Sequence, residues 1–330
     1  MGNDKPNDRT ATRANDHADS ALTVAVLGPG GVGGLLAARL ARAGHRVICL
    51  AGDDTARVLR EDGISVRSRL YGEFTARVEA DTELRERADV VIVAVKHTVL
   101  DAALERVPAA VLPENALVVP LLNGVEHPAA LRARYGPERV APAAIRVAST
   151  RVAPGVIEHG SPFAEIDLTG ETVERGLLER FAAVLEWSGV KARVLDGEVD
   201  TLWAKMAFLA PFALLTTRYR VPVGEIRTRR RAELVDLVEE TAAVGRACGA
   251  ATDATALLAR YDDFPAQAKS SMLQDAEAGR ALELDAIGGG LLRAARRHGV
   301  AVPLASRLVE ELGNPAGANE EGGTPLHPAP

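Results

Sequence analysis

Short apolar runs alternate with longer Ala- and Leu-rich stretches through the first three fifths of the chain. The runs have the length of buried strands, and the stretches between them have helical spacing; over 171–187, for example, Leu178, Phe181 and Leu185 share one helix face. Strands that alternate with helices predict a parallel sheet with crossover helices. The predicted strands are 22–27, 47–50, 90–95, 117–121, 140–148 and 163–168.

The pattern changes after about Gly197. Apolar residues then recur at helical spacing in one segment after another, and few strand signals remain. The sequence therefore predicts an α/β domain over residues 21–196 and an all-helical domain over 197–312. The polar residues 1–20 and the Gly- and Pro-rich residues 313–330 are predicted to be a disordered leader and tail.

Composition narrows the classes of function. The 330 residues carry a formal net charge of −6 and a sequence pI near 5.7, which argues against a nucleic-acid partner. The longest apolar run, Met206–Leu215, contains Pro211 and is too short for a membrane span, so no membrane partner is expected. Two cysteines are too few for a disulfide framework, which predicts a reduced, cytoplasmic protein. The seven histidines show no metal-ligand spacing, so no metal is expected.

A glycine-rich turn joins the first strand to the first helix. It reads Gly28-Pro29-Gly30-Gly31-Val32-Gly33, which fits the pattern G-x-G-x-x-G. In that pattern the first glycine permits a tight turn, the second lets the backbone approach a pyrophosphate, and the third lets helix and strand pack closely. The N-terminus of the following helix presents unpaired N–H groups to the phosphates. Strand, turn, helix and second strand together indicate a Rossmann-type dinucleotide-binding domain.

The end of the second strand selects between NAD and NADP. An acidic residue there binds the ribose 2′-hydroxyl of NAD, whereas an arginine binds the 2′-phosphate of NADP. Here Asp53 suits NAD and Arg57 suits NADP, while Asp54 is equally expected to cap the next helix. On these residues alone the choice of cofactor stays open.

Lys96 and Asn123 each follow a later strand. Both are therefore expected at the carboxyl edge of the parallel sheet, where open α/β sheets bind ligands. Lys96 would meet a ribose or phosphate there, and the Asn123 amide would meet the nicotinamide or a substrate oxygen. An exposed lysine and a simple Asn-Gly turn are equally compatible with these positions.

One lysine stands in the most apolar segment of the helical region. Lys205 has Leu202 at i−3 and Phe208 at i+3. Burial lowers the pKa of a lysine, which makes this ammonium a candidate general acid. By local pattern alone, a buried stem with an exposed ammonium is the more common arrangement.

Three features lie in the later helical segments. Glu283 begins a helical stretch, either as a ligand-binding carboxylate or as an anion at a helix N-terminus. The segment 270–275 has the pattern of a helix start with a serine cap. Glycines at 288–290 cost about 1 kcal/mol each in a helix relative to alanine, so they indicate either close approach of another helix or a local break.

Together these segments resemble the ketopantoate reductase (2-dehydropantoate 2-reductase) family, in family order over about residues 22–306. The resemblance implies a Rossmann domain followed by a helical domain, with the active site in a cleft between them. It also implies NADPH-dependent reduction of 2-dehydropantoate to (R)-pantoate, a step toward coenzyme A. The matching segments read LGPGGVGG, AVKHTVLDAAL, LLNGVEH, LWAKMAF, VPVGEIR, KSSMLQDAEAG and LELDAIGGGLLRAARRHGVAVP.

The resemblance implies a set of cofactor-binding residues. Gly28–Gly33 would hold the pyrophosphate, and Lys96 would contact the cofactor, which the family implies is NADP, with NAD as the alternative. Asn123 would bridge nicotinamide and substrate. Glu283 would contact the cofactor region and help to order the catalytic lysine.

The resemblance also implies the groups that act on the substrate. Lys205 would be the general acid that protonates the nascent alkoxide, with Asn123 and Glu283 beside it as catalytic residues. Ser271 and Gln274 fall in the family's substrate-binding segment. The expected partner is a small 2-oxo acid, and the chain is a candidate homodimer.

Four positions depart from the family pattern. Leu209, Ala213 and Val223 stand where the family's pantoate-reducing members carry asparagines, and Gly52 stands where an arginine is expected. A site built to hydrogen-bond hydroxyls discriminates by orders of magnitude, so losing three amides favours a less polar substrate. A kink at Pro211 would also move the wall of the pocket. Three hypotheses follow: reduction of 2-dehydropantoate, reduction of a more apolar 2-oxo acid, or NADP sensing without turnover.

Overall fold

The computed structural model describes residues 21–314, so the predicted leader and all but the first two residues of the predicted tail lie outside the described residues. The described chain divides into two compact units. One comprises residues 21–122 and 127–201, and the other residues 123–126 and 202–314. The domain limits expected from the sequence, 21–196 and 197–312, stay predictions.

The first unit carries the strands. They are β1 (Thr23–Leu27), β2 (Arg46–Leu50), β3 (Ile64–Ser68), β4 (Gly72–Ala76), β5 (Glu79–Asp81), β6 (Val90–Val93), β7 (Leu117–Pro120), β8 (Ala143–Arg146), β9 (Ser149–Ala153), β10 (Val156–His159), β11 (Glu165–Leu168) and β12 (Lys191–Val194). Five of them form a parallel sheet in the order β5-β2-β1-β6-β7. This confirms the predicted Rossmann-type parallel sheet.

Both faces of the parallel sheet are buried. Val24 and Val26 face one hydrophobic core, while Ala25 and Leu27 face another. Because side chains alternate along a strand, a sheet covered on both faces needs apolar residues at every position. That requirement explains why β1, β2, β6 and β7 appear in the sequence as apolar runs, whereas the three-residue β5 does not.

Two smaller sheets complete the first unit, with the orders β4-β3-β10-β9 and β12-β11-β8. The sequence predicted only β8 and β11 of these seven strands, because the others are short and mostly half-exposed; β9 is exposed along nearly its whole length. The predicted strand 140–148 was too long. It begins only at Ala143, after Pro142, whose nitrogen has no hydrogen to donate to a neighbouring strand.

The helices are α1 (Gly31–Arg42), α2 (Asp53–Asp62), α3 (Leu100–Leu104), α4 (His127–Tyr135), α5 (Arg175–Trp187), α6 (Glu198–Tyr219), α7 (Val223–Arg229), α8 (Arg231–Ala247), α9 (Ala254–Asp263), α10 (Ser271–Glu277), α11 (Gly290–His298) and α12 (Pro303–Gly313), with a π-helical turn over Asp285–Gly289. The described part of the second unit contains helices and no strands, which confirms the all-helical C-terminal region. Its core gathers side chains from α6 to α12.

Helix α6 is the longest, and it continues through Pro211 without a break. By length and composition alone it could cross a membrane. However, 72% of its most apolar 18-residue window is buried inside the protein, as expected of a core helix.

Several helix ends differ from the prediction. Helix α1 begins at Gly31, inside the segment Gly28–Gly33 that the sequence predicted as a turn, so the second half of the glycine motif forms the first turn of the helix. Gly52, and not Asp54, is the N-cap of α2, and the aspartates lie inside that helix. Helix α12 ends at Gly313, the first residue of the predicted tail.

Two other local predictions are confirmed. The Ser270 hydroxyl accepts a hydrogen bond from the Leu273 N–H and caps α10. The glycines at 288–290 lie at the end of the π-helical turn and the start of α11, and the helix continues through them. A Cβ at Gly288 would collide with Val309 of α12, so close approach of another helix is the alternative that applies.

Candidate active site

The three motif glycines of the glycine turn, Gly28, Gly30 and Gly33, have different surroundings in the structure. Gly28 has φ +87°, and a Cβ there would lie 2.6 Å from Val95 Cγ1. A Cβ at Gly33 would collide with the Gly28 carbonyl oxygen, so this glycine permits the close packing of α1 on the turn. At Gly30 a Cβ would meet no protein atom closer than 4.0 Å. The space beside Gly30 is therefore open.

This turn fits a dinucleotide pyrophosphate. The first turn of α1 contains no acidic residue and no capping side chain, so its N–H groups and positive dipole end are available to an anion. Open space at Gly30 lets phosphate oxygens approach the backbone. Gly31 serves packing instead, because a Cβ there would collide with the Ser149 carbonyl of β9.

Lys96 lies beside the glycine turn within the first unit. Strands β1 and β6 are paired in parallel, and the Ala94 N–H donates to the Leu27 carbonyl at 2.9 Å. Val95 packs against Gly28, and the half-buried Lys96 follows directly. The order of the parallel sheet reverses at β1 and β6, and ligands bind at such switch points in open α/β sheets. The structure thus brings the glycine turn and Lys96 together.

The turn after β2 carries the residues that would read the ribose. Gly52 is exposed, and a Cβ there would meet no atom within 4 Å. Asp53 is also exposed, in the first turn of α2. Arg57 forms an exposed ion pair with Glu61 at 3.0 Å.

A second cation, which the sequence analysis missed, reaches the same turn. Arg106 Nη1 donates to the carbonyls of Ala51 at 2.8 Å and Thr82 at 2.9 Å. It therefore places a guanidinium at the end of β2, next to Gly52. No sequence signal indicated this, because Arg106 is 55 residues from Ala51 and belongs to no motif.

In the second unit, Asn123 and Glu283 meet directly. Asn123 Nδ2 donates to Glu283 Oε2 at 2.9 Å, and Glu283 is only 8% exposed. Glu283 lies just before the helical segment that contains the π-helical turn, and its carbonyl accepts from the Ile287 N–H. Glu283 therefore precedes a helix, and its carboxylate accepts a hydrogen bond from a residue of another segment; a role of Glu283 toward a ligand stays a prediction.

Lys205 is half-buried on α6. Leu209 and Phe212, four and seven residues further along the helix, share its face and are also half-buried. Ala213 and Val223, by contrast, have no exposed surface and belong to the core of the second unit. Two of the three missing family amides therefore correspond to core positions in this chain.

The two expected substrate-binding residues lie on α10. Ser271 and Gln274 are both exposed, and Gln274 Nε2 donates weakly to the Lys269 carbonyl at 3.4 Å. The preceding Ser270 is buried and hydrogen-bonds Thr216 Oγ1 at 2.8 Å. Ser270 thus anchors α10 to α6 and leaves its two neighbours at the surface.

Charged residues next to the Asn123 motif were also missed by the sequence analysis. Glu126 is bound by Arg293 of α11, at distances from 2.7 to 3.2 Å. The available signal was an acidic residue three positions after Asn123 inside the matching segment LLNGVEH. Within residues 21–314, no group of three or more His, Cys, Asp or Glu side chains is arranged to hold a metal ion.

Comparison with known proteins covers both units. The family model described as ketopantoate reductase PanE/ApbA matches residues 24–168, and its C-terminal counterpart matches residues 199–315. A 2-dehydropantoate 2-reductase from Caulobacter vibrioides is 31% identical over 299 residues, which are 88% of this chain and 98% of that protein.

Solved structures have the same fold. A 2-dehydropantoate 2-reductase from Geobacter metallireducens aligns with a TM-score of 0.82 at 27% identity, over 89% of this chain and 100% of the other. D-mandelate dehydrogenase in complex with NADH and anilino(oxo)acetate aligns equally well by TM-score, 0.82, at 21% identity over 88% and 97% of the two chains. Enzymes named for different substrates therefore share this fold. Both family models and the relative from Caulobacter vibrioides, in contrast, carry the same name, ketopantoate reductase or 2-dehydropantoate 2-reductase. The chain belongs to the ketopantoate reductase family of nicotinamide-dinucleotide-dependent oxidoreductases.

Proposed function

We propose that this protein reduces 2-dehydropantoate to (R)-pantoate with NADPH. The observation that carries the proposal is the Asn123–Glu283 hydrogen bond. It joins an amide and a carboxylate from two separate family segments, in the same unit that carries Lys205. Neither a plain Asn-Gly turn nor an ordinary helix-start glutamate requires that pairing.

The reaction needs one hydride and one proton. The glycine turn would hold NADPH, which when bound would supply the hydride for the C2 carbonyl carbon and leave as NADP⁺. The carbonyl π electrons move onto the oxygen, and the Lys205 ammonium donates its proton there to form the hydroxyl. Lys205 then regains a proton from water. A lysine in this role stabilises the growing negative charge before it transfers the proton.

Glu283 determines how the Asn123 amide is turned. An ionised carboxylate only accepts hydrogen bonds, so the Asn123 Nδ2 must face it. The amide oxygen and the second N–H of Asn123 are then the groups available to nicotinamide and substrate. Because Glu283 is buried, the Asn123 amide is one of the polar contacts that replace water at its carboxylate.

The residues of the first unit are suited to binding a nicotinamide dinucleotide, and we propose NADPH as that cofactor. The open space at Gly30 and the uncapped start of α1 suit the pyrophosphate. Arg106 supplies a cation at the end of β2, where the family arginine is replaced by Gly52. Asp53 opposes this preference, because its carboxylate suits the 2′-hydroxyl of NADH.

A more apolar 2-oxo acid is a second candidate substrate. Leu209 and Phe212 place half-buried apolar surface on the Lys205 face of α6. Such surface stabilises a hydrocarbon tail better than a hydroxyl, which loses its hydrogen bonds there. The chemistry at Lys205 would be unchanged.

The test is NADPH oxidation followed at 340 nm with 2-dehydropantoate and with branched or aromatic 2-oxo acids. We expect 2-dehydropantoate to give the highest kcat/KM. A higher value for an apolar 2-oxo acid would favour the second candidate. Saturable NADPH binding without turnover on any 2-oxo acid would favour a sensor. A homodimer and a cytoplasmic location stay predictions.

A further inference from the structure

We propose that Arg293 is a positioning residue for Asn123, acting through Glu126. The kinetic part of this inference rests on the proposed reductase function. The structural part, that Arg293 holds the segment Asn123–Glu126 in place, does not. The segment belongs to the second unit although the chain on both sides of it belongs to the first. Contacts with the second unit must therefore hold it.

Arg293 forms a fork with two acidic residues. Its Nε and Nη2 donate to Glu126 at 3.0 and 2.7 Å, and its Nη1 donates to Asp285 Oδ1 at 2.7 Å. The planar guanidinium presents these donors in a rigid geometry, so Glu126 is held in direction as well as in distance. The two carboxylates raise the pKa of Arg293, which stays charged. Asp285 is the first residue of the π-helical turn.

Small residues bring the segment close to that turn. Gly124 has φ +89°, and a Cβ there would lie 2.6 Å from the Ala286 carbonyl oxygen. A Cβ at Gly289 would lie 2.5 Å from Asp285 Oδ1 and 3.0 Å from Arg293 Nη1. Glycine at both positions therefore permits the segment and the fork to approach the π-helical turn.

The segment is thus attached at both ends. Asn123 is bonded to Glu283 at one end, and Glu126 is bonded to Arg293 at the other. Side chains of Arg293 and Glu126 are 42% and 29% exposed, and ion pairs at that exposure contribute little to global stability. The contribution we assign to the fork is geometric: it limits where the Asn123 amide lies relative to Glu283. Displacements of about 1 Å at a reacting group cost up to about 10²-fold in rate.

The experiment compares Arg293→Gln, Glu126→Gln and Arg293→Lys with the parent enzyme. Arg296→Gln is the matched control, because Arg296 lies on the same helix, is exposed and forms no ion pair among residues 21–314. We expect Arg293→Gln and Glu126→Gln to lower kcat/KM by about tenfold, and Arg293→Lys to lower it less. The Kd for NADPH and the Tm should match those of the control.

A double-mutant cycle separates positioning from general structural damage. In the Asn123→Ala background, Arg293→Gln should have almost no further effect on kcat/KM, since its influence passes through Asn123. A loss of the same size in both backgrounds would overturn the proposal, as would unchanged kcat/KM in Arg293→Gln and Glu126→Gln.

Backbone amide hydrogen exchange gives a readout that needs no activity. A peptide covering residues 123–126 should exchange faster in Arg293→Gln than in Arg296→Gln. Equal exchange in the two variants would show that Arg293 does not hold the segment. If the parent reduces no 2-oxo acid, the proposed function fails, and the exchange result still decides whether the fork exists in solution.

Discussion

Asn123 and Glu283 are 160 residues apart in the sequence, and their side chains meet in a 2.9 Å hydrogen bond. The Glu283 carboxylate is buried, and a buried carboxylate is stable only when polar partners replace its water. The Asn123 amide is such a partner. This one contact joins two segments that match the family and are distant in the sequence.

The glycine turn offers a matched pair of substitutions. Gly30→Ala should fold with a Tm close to the parent, because its φ of −80° suits alanine and the added Cβ meets no protein atom. It should weaken NADPH binding by about tenfold or more, since the methyl group occupies the space expected for phosphate. Gly33→Ala should instead lower the Tm, because its Cβ collides with the Gly28 carbonyl. Thermal unfolding and fluorescence titration measure the two effects; normal NADPH affinity in Gly30→Ala would argue against this phosphate site.

Cofactor preference is the second prediction. The parent should bind NADPH more tightly than NADH, because Arg106 brings positive charge to the end of β2. Arg106→Gln should narrow the ratio of the two Kd values, and Gly52→Arg should widen it. The ratio is informative even if Arg106→Gln is less stable, because both cofactors are titrated on the same protein at fixed salt. A tenfold preference of the parent for NADH would contradict the assignment.

The buried parts of the fold were predictable from the sequence, and the exposed parts were not. Strands β1, β2, β6 and β7 of the parallel sheet were predicted because their side chains are buried on both faces, whereas β5, with the sequence EAD, carried too little apolar surface to be recognised. Strands β9 and β12 pair largely through backbone hydrogen bonds at the surface, which leave no hydrophobic pattern. Helix starts were displaced where a glycine, Gly30 or Gly52, occupies the N-cap position in place of a capping side chain.

The residues of the candidate site were likewise predictable from the sequence only in part. Gly28 was predicted from the glycine motif, and Lys96, Asn123 and Glu283 were predicted from the resemblance of their segments to the family. Contacts between distant segments were not identified, as with Arg106 at Ala51, because no local pattern encodes them. Burial also could not be assigned in advance to individual positions of α6, where Leu209 is half-exposed and Ala213 is fully buried.

Burial gives opposite expectations for two substitutions on α6. Leu209→Asn should raise kcat/KM for 2-dehydropantoate, because it returns an amide to the half-exposed face that carries Lys205. Ala213→Asn should lower the free energy of unfolding by about 1–3 kcal/mol, because its amide would be buried among apolar side chains. Steady-state kinetics and urea unfolding test the pair. If Ala213→Asn is as stable as the parent and gains activity, position 213 faces the substrate.

Stability should fall as the pH drops from about 7.5 to 5.5. Burial lowers the pKa of His159 below its ordinary value of 6.5, although the Phe163 carbonyl acts in the opposite direction. His159 therefore takes up a proton near pH 6.5 in the unfolded chain but only at a lower pH in the folded protein. The contribution of neutral His159 to the free energy of unfolding is fully present above pH 6.5 and is lost as the pH falls below that value.

The matching variant is His159→Gln, with the exposed His298→Gln as control. His159→Gln should reduce the pH dependence of the free energy of unfolding, measured by urea titration at the two pH values. The pKa of His45 is also lowered by burial, so part of the slope should persist. An unchanged slope in His159→Gln would show that His159 does not contribute.

The central claim is that Lys205 acts as the general acid of an NADPH-dependent reductase. General acid catalysis contributes about 10²–10⁴-fold, so Lys205→Ala should lower kcat on the best 2-oxo acid at least about 10²-fold. The Kd for NADPH should change little, because the glycine turn belongs to the other unit. The decisive measurement is therefore kcat of Lys205→Ala, with folding checked by circular dichroism and cofactor binding by titration. A folded variant that binds NADPH normally and keeps more than about a tenth of the parental kcat would contradict the account.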